Sequence, residues 1–273
     1  MINFESDPRL PLGKISPAPI EYSPELLFLI PRTTSERYLK DLNTTIYGED
    51  VWTAYELSWL QPSGKPQVAM ARFHIPCTSA CIIESKSFKL YLNSLSNYRV
   101  KSWQEVKDLL QKTLSDTLNC TVLVQLYSLE DSDLKFSILE GLCIDGLDIK
   151  VKSSGVDASL LKASGGIAEE TLFSNLLRTL CPVTNQPDWA TIIVKYKGQA
   201  LEHSSLLHYI ISYRDQQSFH EQCVERIYTD IWRSFNLNYL SVYARYLRRG
   251  GLDINPFRCS ESDVAPLQRL IRQ

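Results

Sequence analysis

The pattern of hydrophobic and polar positions in the first half of the chain changes from strand-like to helix-like and back. It predicts two strands joined by a turn, then two amphipathic helices, then two further strands. These elements are, in order, residues 51–60, 67–75, 84–95, 102–118, 121–129 and 141–151. Residues 61–66 (QPSGKP) have the composition of a tight turn. Residues 102–105 (SWQE) have the form of a capping box, which predicts the start of the second helix.

The second half of the chain follows the same plan. Two strands, two helices, a strand and a last extended element are predicted, at residues 170–180, 188–196, 201–213, 218–235, 239–246 and from 251 onward. Residues 218–221 (SFHE) have the form of a second capping box. The tetrapeptide GLDI occurs in both halves, at 146–149 and 251–254. The shared order of elements predicts tandem copies of one α+β unit.

This pattern divides the chain into three parts. Residues 1–45 are rich in proline, serine and charge, and we expect an irregular arm that packs on the body through the apolar residues 26–30. Residues 46–152 are expected to form the first module and residues 153–273 the second.

Composition excludes several classes of protein. Of the 273 residues, 44% are hydrophobic and 22% charged, as in ordinary globular proteins. The net charge of −2 gives no basic footprint for nucleic acid or for anionic membranes. No apolar run approaches the ~20 residues that span a bilayer, and residues 1–14 do not resemble a signal peptide. We therefore expect a cytoplasmic protein whose seven cysteines are reduced.

The segment between the first two predicted strands of the second half holds a candidate nucleophile. Cys181 precedes one proline, and Asp188 follows another. Because proline restricts its own backbone and that of the residue before it, the intervening segment reads as a stiff loop. Such a loop can hold a thiol and a carboxyl group at a fixed separation, as covalent catalysis requires. The alternative is that Cys181 is a small buried apolar residue and Asp188 a turn residue.

Motifs for metal or nucleotide binding are incomplete. His220 and Glu221 begin an HE pair, but position 224 is valine, so the HExxH pattern fails. Cys77 and Cys81 have no second pair at zinc-ligand spacing, and we expect no metal site. Neither GxGxxG after a strand nor GxxxxGK[ST] occurs.

Two predicted helix starts carry residues with two possible roles. Glu84 and Ser85 can cap the helix that they open, or Ser85 and Lys86 can bind a phosphate or ribose there. Glu221 can complete the capping box, or its carboxylate can accept two parallel N–H bonds from a guanine-like edge. Near the end of the chain, Arg245, Arg248 and Arg249 precede two glycines, and a basic strand end next to a flexible turn could clamp a phosphate.

Taken together, four motifs resemble one family. They are residues 84–91 (ESKSFKLY), Cys181 with Asp188, residues 219–221 (FHE) and residues 248–251 (RRGG). In this order they are similar to the NADPH-dependent 7-cyano-7-deazaguanine reductases, the nitrile reductases of queuosine biosynthesis, a tRNA modification pathway. The resemblance covers residues 20–273 and matches the family's long form. It implies an α+β fold of two tandem tunnelling-fold modules, each a four-stranded antiparallel sheet with two helices inserted between its hairpins.

The resemblance also implies roles for individual residues. By the family's pattern Cys181 is the nucleophile, and Asp188 is the general acid. The substrate 7-cyano-7-deazaguanine is contacted by Ile83, Glu84, Ser85, His220 and Glu221. The residues along NADPH are Ser85, Lys86, Arg249 and Gly250. Two NADPH are used per turnover, through a covalent cysteine thioimide, and the protein is a homodimer that binds neither nucleic acid nor membrane directly.

Two other functions fit parts of the sequence. One is a pterin cyclohydrolase or synthase with the same fold, in which Glu221 anchors the base and a metal does the chemistry. The other is a binding module without catalysis, for a purine-like ligand or a protein partner. Dependence on zinc distinguishes the first from a nitrile reductase, and a covalent adduct at Cys181 distinguishes the second.

Overall fold

The computed structural model describes residues 21–33, 39, 42, 44–131, 136–151, 155–267 and 269–273. The chain forms two compact units, each made of several segments. The first comprises Met1–Thr34, Asp50–Leu134 and Arg248–Asp253, and the second comprises Ser35–Glu49, Lys135–Leu247 and Ile254–Gln273. Both units combine strands with helices, so the α+β class is confirmed. No helix in the described ranges has the length and apolar character needed to cross a membrane.

The strands and helices largely follow the predicted order. The strands are β1 Leu29–Pro31, β2 Tyr47–Leu60, β3 Pro66–Pro76, β4 Cys81–Ile83, β5 Leu123–Tyr127, β6 Leu142–Cys143, β7 Ala163–Leu180, β8 Pro187–Leu201, β9 Leu237–Tyr246 and β10 Leu252–Cys259. The α-helices are α1 Ser85–Ser94, α2 Trp103–Leu118, α3 His203–Ile211 and α4 His220–Ser234.

The first unit is built on the predicted hairpin of β2 and β3, and β5 lies on the other side of β3. The turn between β2 and β3 is closed by Gln61, whose N–H donates to Lys65 O at 2.9 Å. Helix α1 packs on this sheet through Phe88, which makes edge-on ring contacts with Trp52 and Phe73 at 5.1 and 5.0 Å. These apolar contacts fix the start of α1, where candidate site residues lie.

Helix α2 begins as the capping box predicts. Ser102 is its N-cap, and its hydroxyl accepts the N–H of Glu105 at 3.2 Å. The carboxylate of Glu105 accepts the N–H of Lys101 at 3.0 Å, one residue before the cap. The first bond satisfies a backbone N–H that the first turn of a helix leaves unpaired, and the second ties the residue before the cap to the same turn.

The apolar residues 26–30 of the predicted arm pack on the first unit, as expected. Strand β1 pairs antiparallel with β4, with Ile30 opposite Ile82. Ile30 is buried, and Phe28 O accepts the N–H of Glu84, the residue before α1, at 2.9 Å. The arm's residues 1–20, 34–38, 40, 41 and 43 lie outside the described residues.

The second unit has a sheet in the order β10-β9-β8-β7-β6. The pairs β7–β8, β8–β9 and β9–β10 are antiparallel. Helices α3 and α4 lie between β8 and β9 in sequence and contribute to one apolar core with alternate residues of the strands. Fully buried members of this core include Ile192, Val194, Leu240, Val242 and Ile227. Two long neighbouring strands and a helix that follows them therefore carry the predicted nucleophile loop and the residues of the FHE motif.

The prediction of a strand at residues 141–151 is largely wrong. Only Leu142–Cys143 is a strand, and it pairs parallel with Leu172–Phe173 in the second unit. The segment then leaves the ladder because the Asp145 carboxylate binds β7 by side chain, accepting the hydroxyl of Ser174 at 2.6 Å and the N–H of Asn175 at 3.0 Å. Side-chain bonds of this kind compete with a backbone ladder. The described first unit therefore lacks the second hairpin that the repeat predicted.

Candidate active site

The loop that joins β7 to β8 holds Cys181 at its beginning and is closed by backbone hydrogen bonds. The N–H of Cys181 donates to Gln186 O at 2.9 Å, and the N–H of Asn185 donates to Cys181 O at 3.0 Å. Asn185 has a positive φ of 56°, a conformation that asparagine adopts more readily than most residues. The predicted loop between two strands is thus confirmed.

Cys181 and Asp188 project from the same face of this hairpin. Asp188 is the cross-strand partner of Thr179, which lies two residues before Cys181. Cys181 lies one residue beyond the end of β7, and its N–H bond to Gln186 O continues the ladder by one pair. From the alternation of side chains we therefore expect Thr179, Cys181 and Asp188 on one face, with Cys181 and Asp188 as diagonal neighbours. Cys181 is only 3% exposed and Asp188 only 6%. The hairpin register therefore puts a buried thiol and a buried carboxyl group at diagonal positions.

The end of β7 also fixes the start of α4. The N–H of Leu180 donates to Gln216 O at 2.9 Å, and the N–H of Ser218 donates to Leu180 O at 3.1 Å. Helix α4 begins two residues later, and Nε2 of His220 lies 3.3 Å from Oδ2 of Asp188. Sequence reasoning placed His220 and Asp188 in one site, but it did not predict their direct contact.

The capping box predicted at residues 218–221 is wrong. The N-cap of α4 is Phe219, without a side-chain cap hydrogen bond, and the hydroxyl of Ser218 donates to Phe219 O at 3.0 Å. The helix starts one residue later than the motif implies, because Gln217 forms a bridge with Leu180 and the N–H of Ser218 donates to Leu180 O. Glu221 is then the second residue of the helix, where a negative charge is stabilised by the helix dipole, and it is buried.

A second group of predicted residues lies in the first unit, at the start of α1. Ile83 ends β4, and Glu84 is the N-cap of α1. The Glu84 carboxylate accepts the backbone N–H groups of Lys86 and Ser87, both at 2.8 Å. Burial raises the pKa of Glu84 although these two hydrogen bonds lower it. The capping role that the sequence left open is therefore the one seen, and Ser85 and Lys86 occupy the first two positions of the helix.

The arginines and glycines of residues 248–251 form a tight hairpin turn in the same unit. The N–H of Arg249 donates to Leu252 O at 2.9 Å, and Gly250 and Gly251 have positive φ values of 58° and 78°. Two consecutive positive φ values define a type I′ turn, which favours glycine at both positions. A Cβ at Gly250 would lie 3.3 Å from Cδ and Cε of Lys89 in helix α1. The turn and the start of α1 thus gather cationic side chains, including Lys86, Lys89 and Arg249.

Sequence reasoning missed Tyr246, which lies against His220. The two rings are stacked, with centroids 3.6 Å apart and planes 2° from parallel. The signal was present in the alternation of β9, where Leu240, Val242 and Ala244 are buried and Tyr246 follows at the same spacing. The sequence offered nothing to connect that buried position with α4. Among the described residues, no group of three or more His, Cys, Asp or Glu side chains is arranged to hold a metal ion.

Comparison with known proteins agrees with the motifs. Residues 19–126 match a family model described as "Nitrile reductase, 7-cyano-7-deazaguanine-reductase N-term", and residues 187–265 match one described as "QueF-like protein". A protein of Colwellia psychrerythraea named NADPH-dependent 7-cyano-7-deazaguanine reductase is 46% identical over 275 residues, which cover 97% of this chain and 96% of that protein. The chain belongs to the NADPH-dependent 7-cyano-7-deazaguanine reductase family.

A second reductase of this name, from Burkholderia orbicola, is 47% identical over 94% of this chain and 95% of its own length. The chain therefore belongs to a family of oxidoreductases along nearly its whole length. A crystal structure titled as the apo archaeosine synthase QueF-Like is 16% identical, with a TM-score of 0.31, and covers 37% of this chain and 99% of its own. The first matched range includes Glu84 and the second includes Asp188, His220, Glu221 and Arg249, whereas Cys181 lies between the two ranges.

Proposed function

We propose that this protein reduces the nitrile of 7-cyano-7-deazaguanine to the aminomethyl group of 7-aminomethyl-7-deazaguanine, in the biosynthesis of the tRNA nucleoside queuosine. The observation that carries the proposal is the hairpin register that places buried Cys181 and Asp188 on one face. The names of the two relatives, each matched over at least 94% of this chain, support the reaction.

The nucleophile of the proposed reaction is the thiolate of Cys181. A free thiol is mostly protonated at neutral pH, so its proton must be removed before it attacks a nitrile carbon. Asp188 accepts that proton and returns it to the nitrile nitrogen as the sulfur–carbon bond forms, which gives a neutral thioimide. No proton is gained or lost in this step.

Two buried carboxylates recognise the edge of the base in this proposal. Glu84 and Glu221 accept N–H groups of the deazaguanine, with Ile83, Ser85 and His220 beside it. Charged acceptors form the stronger class of hydrogen bond, and a buried carboxylate left unpaired is costly. Glu84 already accepts two backbone N–H groups, and a carboxylate has about four acceptor positions, so capping leaves capacity for the base.

The residues proposed to hold NADPH are Ser85, Lys86, Arg249 and Gly250. Their chemistry fits a dinucleotide, since cationic side chains and the backbone N–H groups of a helix start both bind phosphate. A Cβ at Gly250 would meet Lys89, so the glycine keeps the surface between the turn and α1 open. NADPH supplies hydride when bound, and reduction of a nitrile to an amine takes two hydrides, hence two NADPH per turnover.

The remaining assignments follow the family's long form. We propose an arm at residues 1–45 and two tandem tunnelling-fold modules at residues 46–152 and 153–273. The second module would hold the four antiparallel strands β7 to β10 with α3 and α4 inserted between its hairpins, and the first would hold β2, β3 and β5 with α1 and α2. We further propose a homodimer in the cytoplasm that binds neither nucleic acid nor membrane directly.

Intact mass spectrometry tests the proposed function. The protein is mixed with 7-cyano-7-deazaguanine in the absence of NADPH, and we expect a mass increase of one substrate molecule per chain. Cys181→Ala abolishes the adduct, whereas Cys143→Ala, which removes an exposed cysteine, leaves it intact. Addition of NADPH discharges the adduct, with two NADPH oxidised for each amine formed. An unmodified wild-type chain, or an adduct that persists in Cys181→Ala, contradicts the proposal.

A further inference from the structure

The imidazole of His220 has two nitrogens in different surroundings. Its Nε2 lies 3.3 Å from Oδ2 of Asp188. Its Nδ1 is buried and has no hydrogen-bond partner among the residues that the structure describes. His220 is the first residue of α4, and no hydrogen bond to Nδ1 from that part of the chain sets the orientation of the ring. Another contact must keep the ring in the plane that directs Nε2 to Asp188.

Tyr246 supplies that contact, because its ring lies parallel to the His220 ring at 3.6 Å. Tyr246 is itself held firmly. Its side chain is fully buried, its N–H donates to Oδ1 of Asn255 at 3.1 Å, and its carbonyl oxygen accepts from Nε2 of Gln273 at 3.1 Å. Across the sheet it pairs with Ala190, two residues after Asp188. The tyrosine ring is therefore a fixed surface built on the same strands as the acid.

The face of the Tyr246 ring, rather than its hydroxyl, makes this contact. The hydroxyl lies beside Cys223 and Thr179, but it forms no hydrogen bond of normal geometry within the described residues. Burial keeps the pKa of Tyr246 well above its ordinary value, so the phenol is neutral at any pH at which the enzyme works. A neutral, immobile ring that stacks on an imidazole restricts the rotation of the latter without exchanging a proton with it.

We propose that Tyr246 is a positioning residue that fixes the plane of His220, so that Nε2–H donates to Asp188 while Nδ1 stays available inside the site. In this proposal Tyr246 acts through His220. The inference rests on the proposed function in one respect, because its kinetic test measures the rate of thioimide formation. The orientation of the ring itself is a property of the ligand-free protein.

The kinetic test is a double-mutant cycle between Tyr246 and His220. Tyr246→Met replaces the flat ring by a flexible apolar chain that fills much of its volume, and Tyr246→Phe keeps the ring. We expect Tyr246→Met to slow thioimide formation at least about tenfold, as displacement of a catalytic group does. We expect Tyr246→Phe to form the thioimide at nearly the wild-type rate. In a His220→Ala background Tyr246→Met has no further effect, because coupled residues are not additive. Equal losses in both backgrounds, or an equal loss in Tyr246→Phe, overturn the proposal.

Nuclear magnetic resonance of the four histidines tests the same inference without substrate. In ligand-free wild type and in Tyr246→Phe, we expect His220, assigned from His220→Ala, to carry its proton on Nε2. In Tyr246→Met we expect a mixture of tautomers. A proton on Nδ1 in wild type overturns the positioning role whatever the kinetics show. A wild-type protein that forms no adduct while the NMR result holds contradicts the proposed function and not the role of Tyr246.

Discussion

Ser87 donates two hydrogen bonds to Glu84 at the start of α1. The Glu84 carboxylate accepts the Ser87 backbone N–H at 2.8 Å, and the Ser87 hydroxyl donates to Glu84 O at 2.7 Å. Both residues are buried, and burial raises the pKa of Glu84. Glu84 thus stabilises the helix by accepting hydrogen bonds, whereas its ionisation in a buried position costs stability. The same carboxylate is the proposed partner of the base.

Glu84→Gln is expected to affect stability in a pH-dependent way. A glutamine side chain has one acceptor oxygen and cannot accept both N–H groups as the carboxylate does, so the variant loses about 1 kcal/mol of capping. Because the pKa of Glu84 is raised in the folded protein, ionisation destabilises the wild type as pH rises above the ordinary value of 4.5. The advantage of wild type over the variant is therefore largest on the acid side and shrinks with rising pH.

Urea unfolding of both proteins, at a series of pH values from about 4 to about 7, measures this difference. Glu105→Gln is the matched control, since Glu105 is an exposed acid in the first turn of α2. A difference between Glu84→Gln and wild type that stays constant, or that grows with pH, contradicts the assignment of a raised pKa. Weaker binding of 7-cyano-7-deazaguanine by Glu84→Gln is expected as well, and titration calorimetry measures it.

The helices and strands that were predicted correctly are those in which the local sequence pattern and the tertiary contacts favour the same secondary structure. The hairpin of β2 and β3, helix α2 and the strands on either side of Cys181 have strong periodicity, clear turn residues or a cap, and each forms as predicted. Residues 141–151 have strand-like composition, but Asp145 binds β7 by its side chain. Ser218 stands at a suitable position for a cap, but its N–H donates to Leu180 O beside the bridge of Gln217 with Leu180, and the helix starts one residue later. Both errors come from tertiary contacts that cannot be predicted from the local sequence pattern.

The candidate site shows the same limit. The types and order of Cys181, Asp188, His220 and Glu221 pointed to the family, because the motifs are contiguous in sequence. The contact of His220 with Asp188 and the stacking of His220 on Tyr246 depend on the register of β8 against β9. A one-residue shift in that register would turn Tyr246 to the opposite face of the sheet. Periodicity alone does not fix such a register.

Asn185 is expected to control the stability of the nucleophile loop. Its φ of 56° is accessible to glycine without strain, whereas a β-branched residue is disfavoured there by about 1–2 kcal/mol. Asn185→Gly should therefore unfold near the wild-type urea concentration, and Asn185→Val at a lower one. Asn185→Val should also form the thioimide more slowly, because the N–H that donates to Cys181 O is displaced. Equal rates for the two variants would mean that this turn does not position the thiol.

Arg249 and Arg248 are neighbours with different expected contributions to NADPH binding. The Arg248 guanidinium lies over the ring of Tyr55, 4.7 Å from its centroid, so it packs on the protein. Arg249 is proposed to bind the cofactor, and loss of one charge-assisted hydrogen bond costs about tenfold or more in affinity. We expect Arg249→Ala to raise the half-saturating NADPH concentration by about this factor and Arg248→Ala to leave it near wild type. A larger increase in the half-saturating NADPH concentration for Arg248→Ala than for Arg249→Ala would contradict the assignment of Arg249 to the cofactor site.

Asp188→Asn is expected to separate binding from chemistry. Asparagine is nearly isosteric with aspartate, but it neither takes up the thiol proton nor returns it to the nitrile nitrogen, so turnover falls by a factor of about 10² or more. Affinity for 7-cyano-7-deazaguanine stays near wild type, because the proposed contacts to the base come from Glu84 and Glu221. The control is Asp215→Asn, which changes an exposed carboxylate beside Arg178 and leaves turnover intact. Steady-state NADPH oxidation and titration calorimetry provide the two measurements, and an Asp188→Asn enzyme with full turnover would exclude Asp188 as the acid.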